Sequence, residues 1–334
     1  AAKEILESGN TSGYDPAYLQ TTYEFLKGLG WVSYGYQGFS GNRIGSIEAH
    51  EAINAVSRDV ILHAKEAAEE MGYEVLHLYV DSLFIRVGSN EAGLEKLREE
   101  IKSRTKLKVD LEGILRWMAF LPSKQNLGVP VPNCYFGVFR NGERKCRGIM
   151  LRRGDTPRYI AAAQEEAIDI MAKELDFDKL QSLIPELVEL FKQHYRKIVL
   201  GQVELEQLVV SQTLSRNLED IRALSPAARA ALQLAERGKH TSAGQNVDFV
   251  RIRNAPYVLP RNLMTTAEKI DIDAQWYCEQ LLRAANEILF SLGVSKEVLS
   301  AWLKDRGTYW SPEDFAHRTP IQLPLLEGTA HSRI

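Results

Sequence analysis

The sequence predicts an α+β fold in which an antiparallel sheet with packed helices is followed by a mainly helical unit. Apolar residues recur first at helical spacing, change to the spacing of strands after Gly72, and return to helical spacing beyond residue 155. Two short turns, at 80–82 and 141–142, each separate two apolar runs and indicate antiparallel hairpins. The 334 residues suffice for two or three packed units, and we expect a domain boundary near residue 155.

The first part of the chain is predicted to form two helices with an irregular segment between them. Residues 14–30 carry Asp15 as a cap and Pro16 in the first turn, and glycines end the predicted helix. Residues 31–46 are rich in glycine and aromatic side chains, which predicts a close-packed turn region. Ser46 then caps a long helix whose apolar residues step by three and four. These apolar residues are Ile53, Val56, Val60, Ala64, Ala67 and Met71.

The predicted sheet comes next. "LHLYVDSLFIRV" (76–87) predicts a hairpin, a helix follows at about 90–105, and "LKVDLEGILRWMAFLP" (107–122) predicts a further strand. A second hairpin joins "CYFGVF" (134–139) to "ERKCRGIML" (143–151). Beyond it, helices are predicted at 156–175, 178–195, 203–216, 273–292 and 295–304, and a tail with several prolines begins at Pro312.

The composition indicates a cytoplasmic protein with no membrane partner. The formal net charge is −3, and no apolar stretch approaches the roughly 20 residues that span a bilayer. The first residues lack the basic start and apolar core of a signal peptide. The three cysteines show neither paired nor metal-type spacing, which favours free thiols in a reducing compartment.

The balanced charge argues weakly against nucleic-acid binding, because phosphate neutralisation requires clustered Lys and Arg. One such cluster is nevertheless present in residues 140–158, and it admits either a solvated basic face or a nucleic-acid surface. Its basic residues are Arg140, Arg144, Lys145, Arg147, Arg152, Arg153 and Arg158.

Asp81, the single acidic residue of the first hairpin, has two interpretations. An Asp in a tight turn commonly caps its own turn. Apolar neighbours instead put this carboxylate at the edge of a core, where it needs a partner such as a divalent cation with a substrate phosphate. A two-metal phosphoryl-transfer site requires at least two carboxylates around ions about 3.5–4 Å apart, so Asp81 alone does not complete one. The neighbours are Leu76, Leu78, Leu83 and Ile85.

Four segments, in order, resemble conserved segments of the family B DNA polymerases. Asp81-Ser82-Leu83-Phe84 matches the second half of the third palm motif, and "LKGLGWVSYGYQGF" (26–39) is similar to the second motif, on a fingers helix. "VPNCYFGVFRNGERKCRGIMLRRGDTP" (131–157) resembles the segments at the palm–thumb junction, and "IDIDAQWYCEQLLRAANEILFSLG" (270–293) resembles the helix that closes the thumb. The variant with Val-Asp-Ser in the third motif looks most like archaeal and related bacterial polymerases.

The resemblance implies a domain order: the end of a fingers helix at 1–30, the palm at 31–155, a helical thumb at 156–310 and a tail at 311–334. It also implies a DNA-directed DNA polymerase that acts on primer–template DNA and a dNTP. The antiparallel sheet would then be the palm.

The resemblance also implies residue roles. Asp81 would be catalytic and hold Mg²⁺, Lys27 would meet the incoming triphosphate, and Tyr34 with Gly35 would pack under the nascent base pair. The residues implied to hold the primer backbone are Tyr135, Arg147 and Arg153.

Three departures from the family pattern qualify these roles. Tyr79 stands where the third motif has its first Asp, and Asn133 stands where a Lys precedes the junction Tyr. The first motif, an Asp before Ser-Leu-Tyr-Pro, is absent and is expected upstream together with an exonuclease domain. We therefore expect the C-terminal part of a polymerase, active only with an N-terminal part. The alternative is a catalytically inactive polymerase-like scaffold or DNA-binding subunit.

The tail segment "TPIQLPLLEG" (319–328) has faint similarity to a sliding-clamp peptide through Gln322 and Leu325. It lacks the aromatic pair that would fill a clamp pocket, so we interpret it as a linker or a docking strand, with a clamp left open as a partner. A small-molecule enzyme finds no support, because the sequence has no Gly-rich phosphate loop, metal-spaced His or Cys, or nucleophile motif.

Overall fold

The structure is a computed structural model. It describes residues 5, 13, 15–123, 130–175, 177–264, 270–308, 311–317, 325–327 and 329–333. Helix α1 (Pro16–Gln37) begins as predicted, with the Asp15 carboxylate accepting the Ala17 N–H at 3.1 Å. The helix continues past Gly30, so the prediction of a turn region over 31–46 is wrong for residues 31–37. Glycine costs a helix interior only about 1 kcal/mol relative to alanine, which is too little to end this one.

Helix α2 (Ile47–Glu70) starts at the predicted cap, where the Ser46 hydroxyl accepts a backbone N–H at 3.2 Å. The predicted apolar stripe is buried only in the second half of the helix. Ala64 and Ala67 are fully buried, whereas Val56 is 63% exposed. The buried half packs against the first hairpin of the sheet and against α3 (Leu94–Thr105).

In the part of the chain that the structure describes, seven strands form one antiparallel sheet. Its strands are β1 (Glu74–Tyr79), β2 (Ser82–Arg86), β3 (Asp110–Pro122), β4 (Pro130–Phe139), β5 (Arg144–Arg147), β9 (Leu325–Glu327) and β10 (Thr329–Arg333). They are ordered β1-β2-β10-β3-β4-β5, and β9 pairs with β3. Both predicted hairpins, β1–β2 and β4–β5, are confirmed.

One large hydrophobic core joins this sheet to the helices that follow it. The helices are α4 (Arg158–Lys173), α5 (Ile184–Val199), α7 (Ala274–Leu289), α8 (Lys296–Leu303) and α9 (Pro312–Ala316). Trp117 and Phe136 of the sheet lie in the same buried cluster as Ile160 and Ile288 of the helices. The core is therefore continuous across residue 155. None of the helices in the described ranges is long and apolar enough to cross a membrane.

A smaller packed unit interrupts the helices. It contains β6 (Val210–Thr213), α6 (Pro226–Ala235), β7 (Asn246–Arg251) and β8 (Val258–Pro260) around a core of its own. The helix predicted over 203–216 is wrong, because a short 3-10 turn leads directly into β6. Leu208 and Val210 are buried while Val209 between them is half-buried. Alternating burial is typical of a strand, and pairing with β7 holds the segment in the strand conformation.

The tail docks on the chain's own sheet, as one of its two predicted interpretations allowed. β9 pairs with residues 117–119 of β3, and β10 lies between β2 and β3. Gln322, the residue that suggested a clamp peptide, lies outside the described residues.

A single carboxylate holds the junction between the sheet and α7. Glu287 Oε2 accepts hydrogen bonds from the Met150 N–H and from Gln164 Nε2, each at 2.8 Å. Gln164 is fully buried, and its own oxygen accepts the Leu151 N–H at 2.6 Å. These bonds satisfy polar groups that would otherwise be buried without a partner where the chain leaves the sheet.

Glu287→Ala removes the acceptor of two donors at this junction, and we expect the free energy of unfolding to fall by about 2–3 kcal/mol. Glu279→Ala, on the exposed side of the same helix, is the matched control and should change it by less than about 0.5 kcal/mol. Urea denaturation followed by circular dichroism measures both variants. Equal midpoints for the two would contradict the assignment.

Gly148, which follows β5, makes the closest backbone approach in the second hairpin. Its φ of 67° lies in the left-handed region. A Cβ at this position would overlap the backbone carbonyl oxygen of Asn133 on β4. Because only glycine combines this φ with such an approach, Gly148 sets how closely the end of β5 lies against β4.

Gly148→Ala should therefore lower the free energy of unfolding by about 1–3 kcal/mol, from left-handed strain and from the overlap. Gly154→Ala serves as the control, because a Cβ at Gly154 meets no atom within 4 Å. Differential scanning fluorimetry should show a melting temperature lowered by about 2 °C or more for the first variant only. An unchanged melting temperature for Gly148→Ala would show that the hairpin tolerates a wider separation.

Candidate active site

The hairpin between β1 and β2 turns within two residues, because Tyr79 and Ser82 pair directly. Val80, the first residue of the turn, has a φ of 54° and is 71% exposed. A β-branched residue is strained in this region, so the strand pairing on either side imposes the conformation. Asp81, the second residue, is half-buried and its Oδ1 accepts from the Ser82 hydroxyl at 3.3 Å. The carboxylate thus lies at the tip of a tightly constrained hairpin.

Arg147 joins this hairpin to β4. Its guanidinium carbon lies 4.4 Å from the centroid of the Tyr79 ring, and its backbone pairs with Tyr135. Such a cation–aromatic contact contributes about 0.5–2 kcal/mol. Tyr135 is 2% exposed; burial raises the pKa of its phenol, and the charge of Arg147 partly opposes that rise. Tyr79, Tyr135 and Arg147 therefore form one contiguous group beside the Asp81 turn.

An aromatic layer supports this group. The rings of Phe84, Phe120 and Tyr135 meet edge to face, with centroids 5.4–6.1 Å apart. His77 packs on Phe120 at 4.8 Å, and its Nε2–H donates to the Pro132 carbonyl at 2.9 Å. Burial lowers the pKa of His77, which favours the neutral ring. Sequence reasoning missed His77, although its alternation with Tyr79 along β1 places both on one face of the sheet.

Four of the seven basic residues in 140–158 bind carboxylates of the chain. The pairs are Arg140–Glu91 (2.7 Å), Arg144–Glu165 (2.9 Å), Arg144–Asp169 (2.9 Å), Lys145–Glu112 and Arg153–Glu287 (3.6 Å). The run is therefore not a uniform solvated face. Arg144, Arg147 and Arg152 also line a cavity of about 640 Å³ next to Tyr135.

Arg153 lies apart from the Tyr79–Arg147 contact. Its Nε donates to the Gly148 carbonyl at 3.2 Å, and its guanidinium faces Glu287 of the junction network. Three residues are implied to hold the primer backbone. The structure brings Tyr135 and Arg147 together, and it places Arg153 next to Glu287, near the C-terminal end of α7.

The residues implied to bind the nucleotide lie on α1. Lys27 and Tyr34 are seven residues apart, which puts them on the same face of the helix. The Lys27 amine lies 5.4 Å from the centroid of the Trp31 ring and is exposed. The Tyr34 hydroxyl donates to Asn54 Oδ1 on α2 at 2.6 Å. Gly35 is a helical residue, and a Cβ there would meet no atom within 4 Å.

Asp81 fits a Mg²⁺ site as one ligand. Mg²⁺ is usually bound through one or two carboxylates, substrate phosphates and water. Within the described ranges, no group of three or more His, Cys, Asp or Glu side chains lies close enough together to hold a metal ion. The position at which the third motif of the family has its first Asp is occupied by Tyr79, which offers a phenol in place of a carboxylate.

Comparison with known proteins gives consistent matches. The family model described as "DNA polymerase family B" matches residues 19–292. DNA polymerase 1 of Saccharolobus solfataricus is 26% identical over 252 residues, which cover 75% of this chain and 27% of that protein. The DNA polymerase of Thermococcus kodakarensis is 26% identical over 334 residues, which cover 91% of this chain and 19% of that protein.

The fold is also similar to a solved structure. It is the family B DNA polymerase from the hyperthermophilic archaeon Pyrobaculum calidifontis. The superposition covers 88% of this chain and 36% of the polymerase chain, with a TM-score of 0.54 and 21% sequence identity. The chain thus spans only about a fifth to a third of the length of these polymerases. The family model matches well over half of the chain, and the resemblance to the family is confirmed. The chain belongs to the family B DNA polymerases.

Proposed function

We propose that this chain supplies the palm and thumb of a DNA-directed DNA polymerase. It binds primer–template DNA and contributes to Mg²⁺-dependent nucleotidyl transfer together with an N-terminal part that carries the first motif and the exonuclease domain. The observation that carries this proposal is the contact of the Arg147 guanidinium with Tyr79, two residues before Asp81 on the same constrained hairpin. A guanidinium suited to phosphate thus lies on the hairpin whose tip carries a carboxylate suited to a cation.

Asp81 is proposed as the catalytic, metal-holding residue. A Mg²⁺ ion held by Asp81 would supply Lewis-acid stabilisation of charge for the transfer of a nucleotide from a dNTP to a primer hydroxyl, with pyrophosphate as the leaving group. The chain's own contribution is to hold the carboxylate in place. The Ser82 hydroxyl and the direct Tyr79–Ser82 pairing both restrict its position. A group positioned in this way needs little reorganisation during the reaction.

Arg147 and Arg153 are proposed to hold the primer strand through its backbone, and Tyr135, which is 2% exposed, is proposed to take part by supporting Arg147. Guanidinium groups bind phosphate bidentately without reading sequence, as a replicating enzyme requires. Arg147 is best placed for this role, because it is exposed and stacks on Tyr79, whereas Arg153 has a carboxylate partner in Glu287.

Lys27, Tyr34 and Gly35 are proposed to meet the dNTP from α1, the end of the fingers. The hydrogen bond of Tyr34 to Asn54 fixes one end of that surface. The helix carries large exposed apolar side chains, among them Phe25 and Trp31, each 67% exposed. Exposed apolar surface of this extent indicates an interaction site, which supports assembly with the N-terminal part.

The alternative is an inactive polymerase-like scaffold or DNA-binding subunit. Tyr79 and Asn133 favour it, because both replace charged residues of the family motifs. In the structure Tyr79 receives the Arg147 guanidinium, so this substitution creates a contact as well as removing a carboxylate. A sliding clamp stays an open partner, since Gln322 lies outside the described residues.

Arg147→Gln should raise the Kd of the chain for primer–template DNA about threefold and reduce the slope of log K against log salt by about one. Arg140→Gln is the control. Arg140 binds Glu91, and it neither stacks on Tyr79 nor lines the cavity next to Tyr135. Fluorescence anisotropy with a labelled primer–template over a range of KCl concentrations measures both slopes. Equal slopes for the two variants would remove Arg147 from the DNA surface.

Asp81→Asn should slow primer extension by the assembled polymerase about 10³-fold, the scale for losing one group that stabilises transition-state charge. The Kd for DNA should stay within about twofold, because Asp81 is proposed to hold a cation rather than to contact the DNA backbone. The assembly is obtained by affinity purification of the chain from native cells, and Asp59→Asn on the exposed face of α2 is the control. Unchanged extension by Asp81→Asn would favour the scaffold. Extension by the chain without any partner would overturn the requirement for an N-terminal part.

A further inference from the structure

The last strand of the chain lies in the middle of the main sheet. β10 pairs with β2 on one edge and with β3 on the other, so the strands on either side of it are separated by one strand width. We call this position the β2–β3 slot, bounded by residues 82–86 and 110–114. The Cα partners are Ala330 with Ile85 and Ile114, His331 with Phe84 and Gly113, Ser332 with Leu83 and Leu111, and Arg333 with Ser82 and Asp110.

The slot cannot stay empty at low cost. Leu83 and Phe84 are fully buried and Ile85 is 3% exposed. Without a strand in the slot, backbone N–H and C=O groups of β2 would lose their partners in this buried setting, and those of residues 110–114, which are half-buried or exposed, would form an unpaired sheet edge. Pairing of this kind is made by the main chain and does not by itself require one sequence, so other extended segments can take the same position.

A strand in the slot ends beside Asp81. Arg333 lies opposite Ser82, the residue directly after Asp81. Opposed Cα atoms in an antiparallel pair lie about 4.5–5.5 Å apart, so the slot presents a side chain from this register position next to the turn. Two-metal chemistry needs a second carboxylate near Asp81. The tail, with the sequence Thr-Ala-His-Ser-Arg, brings none to the slot.

We propose that the β2–β3 slot is a strand-exchange site. The tail fills it in this chain alone, and a strand of the N-terminal part, carrying a carboxylate near the position opposite Ser82, displaces the tail on assembly. This inference rests on the proposed function for the identity of the incoming strand. The exchange is close to balanced, because the incoming strand regains the backbone bonds that the tail gives up. Until assembly, the tail fills the slot and keeps the sheet continuous between β2 and β3.

Peptide binding tests the slot independently of polymerase activity. The probe is a fluorescent peptide of residues 321–334, offered to the full chain and to a chain ending at residue 317. A tethered tail competes at an effective concentration of about millimolar, so the truncated chain should bind the peptide at least about tenfold more tightly. The same peptide with His331→Pro is the control, because proline cannot take a central strand position. Equal binding by the two chains, or equal binding of the two peptides, would overturn the proposal.

A second variant decides the question without truncation. Ser332→Cys with Leu111→Cys places cysteines at Cα partners of β10 and β3, and oxidation then locks the tail in the slot. We expect the oxidised chain to lose the peptide binding and the association with the purified N-terminal part, and the reduced chain to recover both. The single-cysteine variants control for the native Cys134, Cys146 and Cys278.

The outcomes separate the two levels of the argument. If the oxidised chain assembles and extends primers as well as the reduced chain does, the strand-exchange proposal is contradicted. Failure of every variant, wild type included, to bind DNA or extend primers would count against the proposed function, while peptide binding by the truncated chain would still report on the slot. Hydrogen exchange at residues 83–85, faster in the truncated chain and slowed again by the peptide, locates the binding.

Discussion

The main sheet is arranged around one requirement: β2 is buried on both faces and must be hydrogen-bonded on both edges. Leu83 and Ile85 point into the core that α2 and α3 cover, and Phe84 points into the opposite aromatic layer. On one edge β1 pairs closely enough to force the two-residue turn at Val80 and Asp81. On the other edge β10 completes the ladder. The position of the candidate catalytic carboxylate is thus a consequence of how a buried strand is satisfied.

The second hairpin brings opposite charge to the same place. Gly148 lets the end of β5 lie against Asn133, and Arg147, one residue earlier, reaches the ring of Tyr79. The guanidinium of Arg147 therefore lies over Tyr79, two residues before Asp81 on the same hairpin. Under the proposed function, the metal ion and the DNA phosphate would each meet the charge that favours it on this hairpin.

The sequence predicted local structure well where period and turn chemistry agree. The hairpins at 80–82 and 141–142 and the caps at Asp15 and Ser46 fall where expected. It failed where distant pairing decides. Residues 210–213, within the helix predicted over 203–216, form β6 because β7 lies beside them. The strands with which the tail pairs lie more than two hundred residues away, so its sequence could not identify them. For the candidate site, the motif resemblance proposes Asp81 and Arg147, but the stacking of Arg147 on Tyr79 depends on the approach at Gly148 and could not be foreseen from spacing.

The junction at Glu287 has a mechanical consequence. One carboxylate on α7 accepts hydrogen bonds from Met150 and Gln164 and faces Arg153, so the segment after β5, α4 and α7 are joined at one point. The small unit is joined to α7 as well. The Tyr277 hydroxyl accepts the Arg251 N–H and donates to the Leu208 carbonyl, each at 2.9 Å, and Val250 of β7 lies in the large core. Helix α7 is therefore the element through which the sheet, the helices and the small unit resist motion relative to one another.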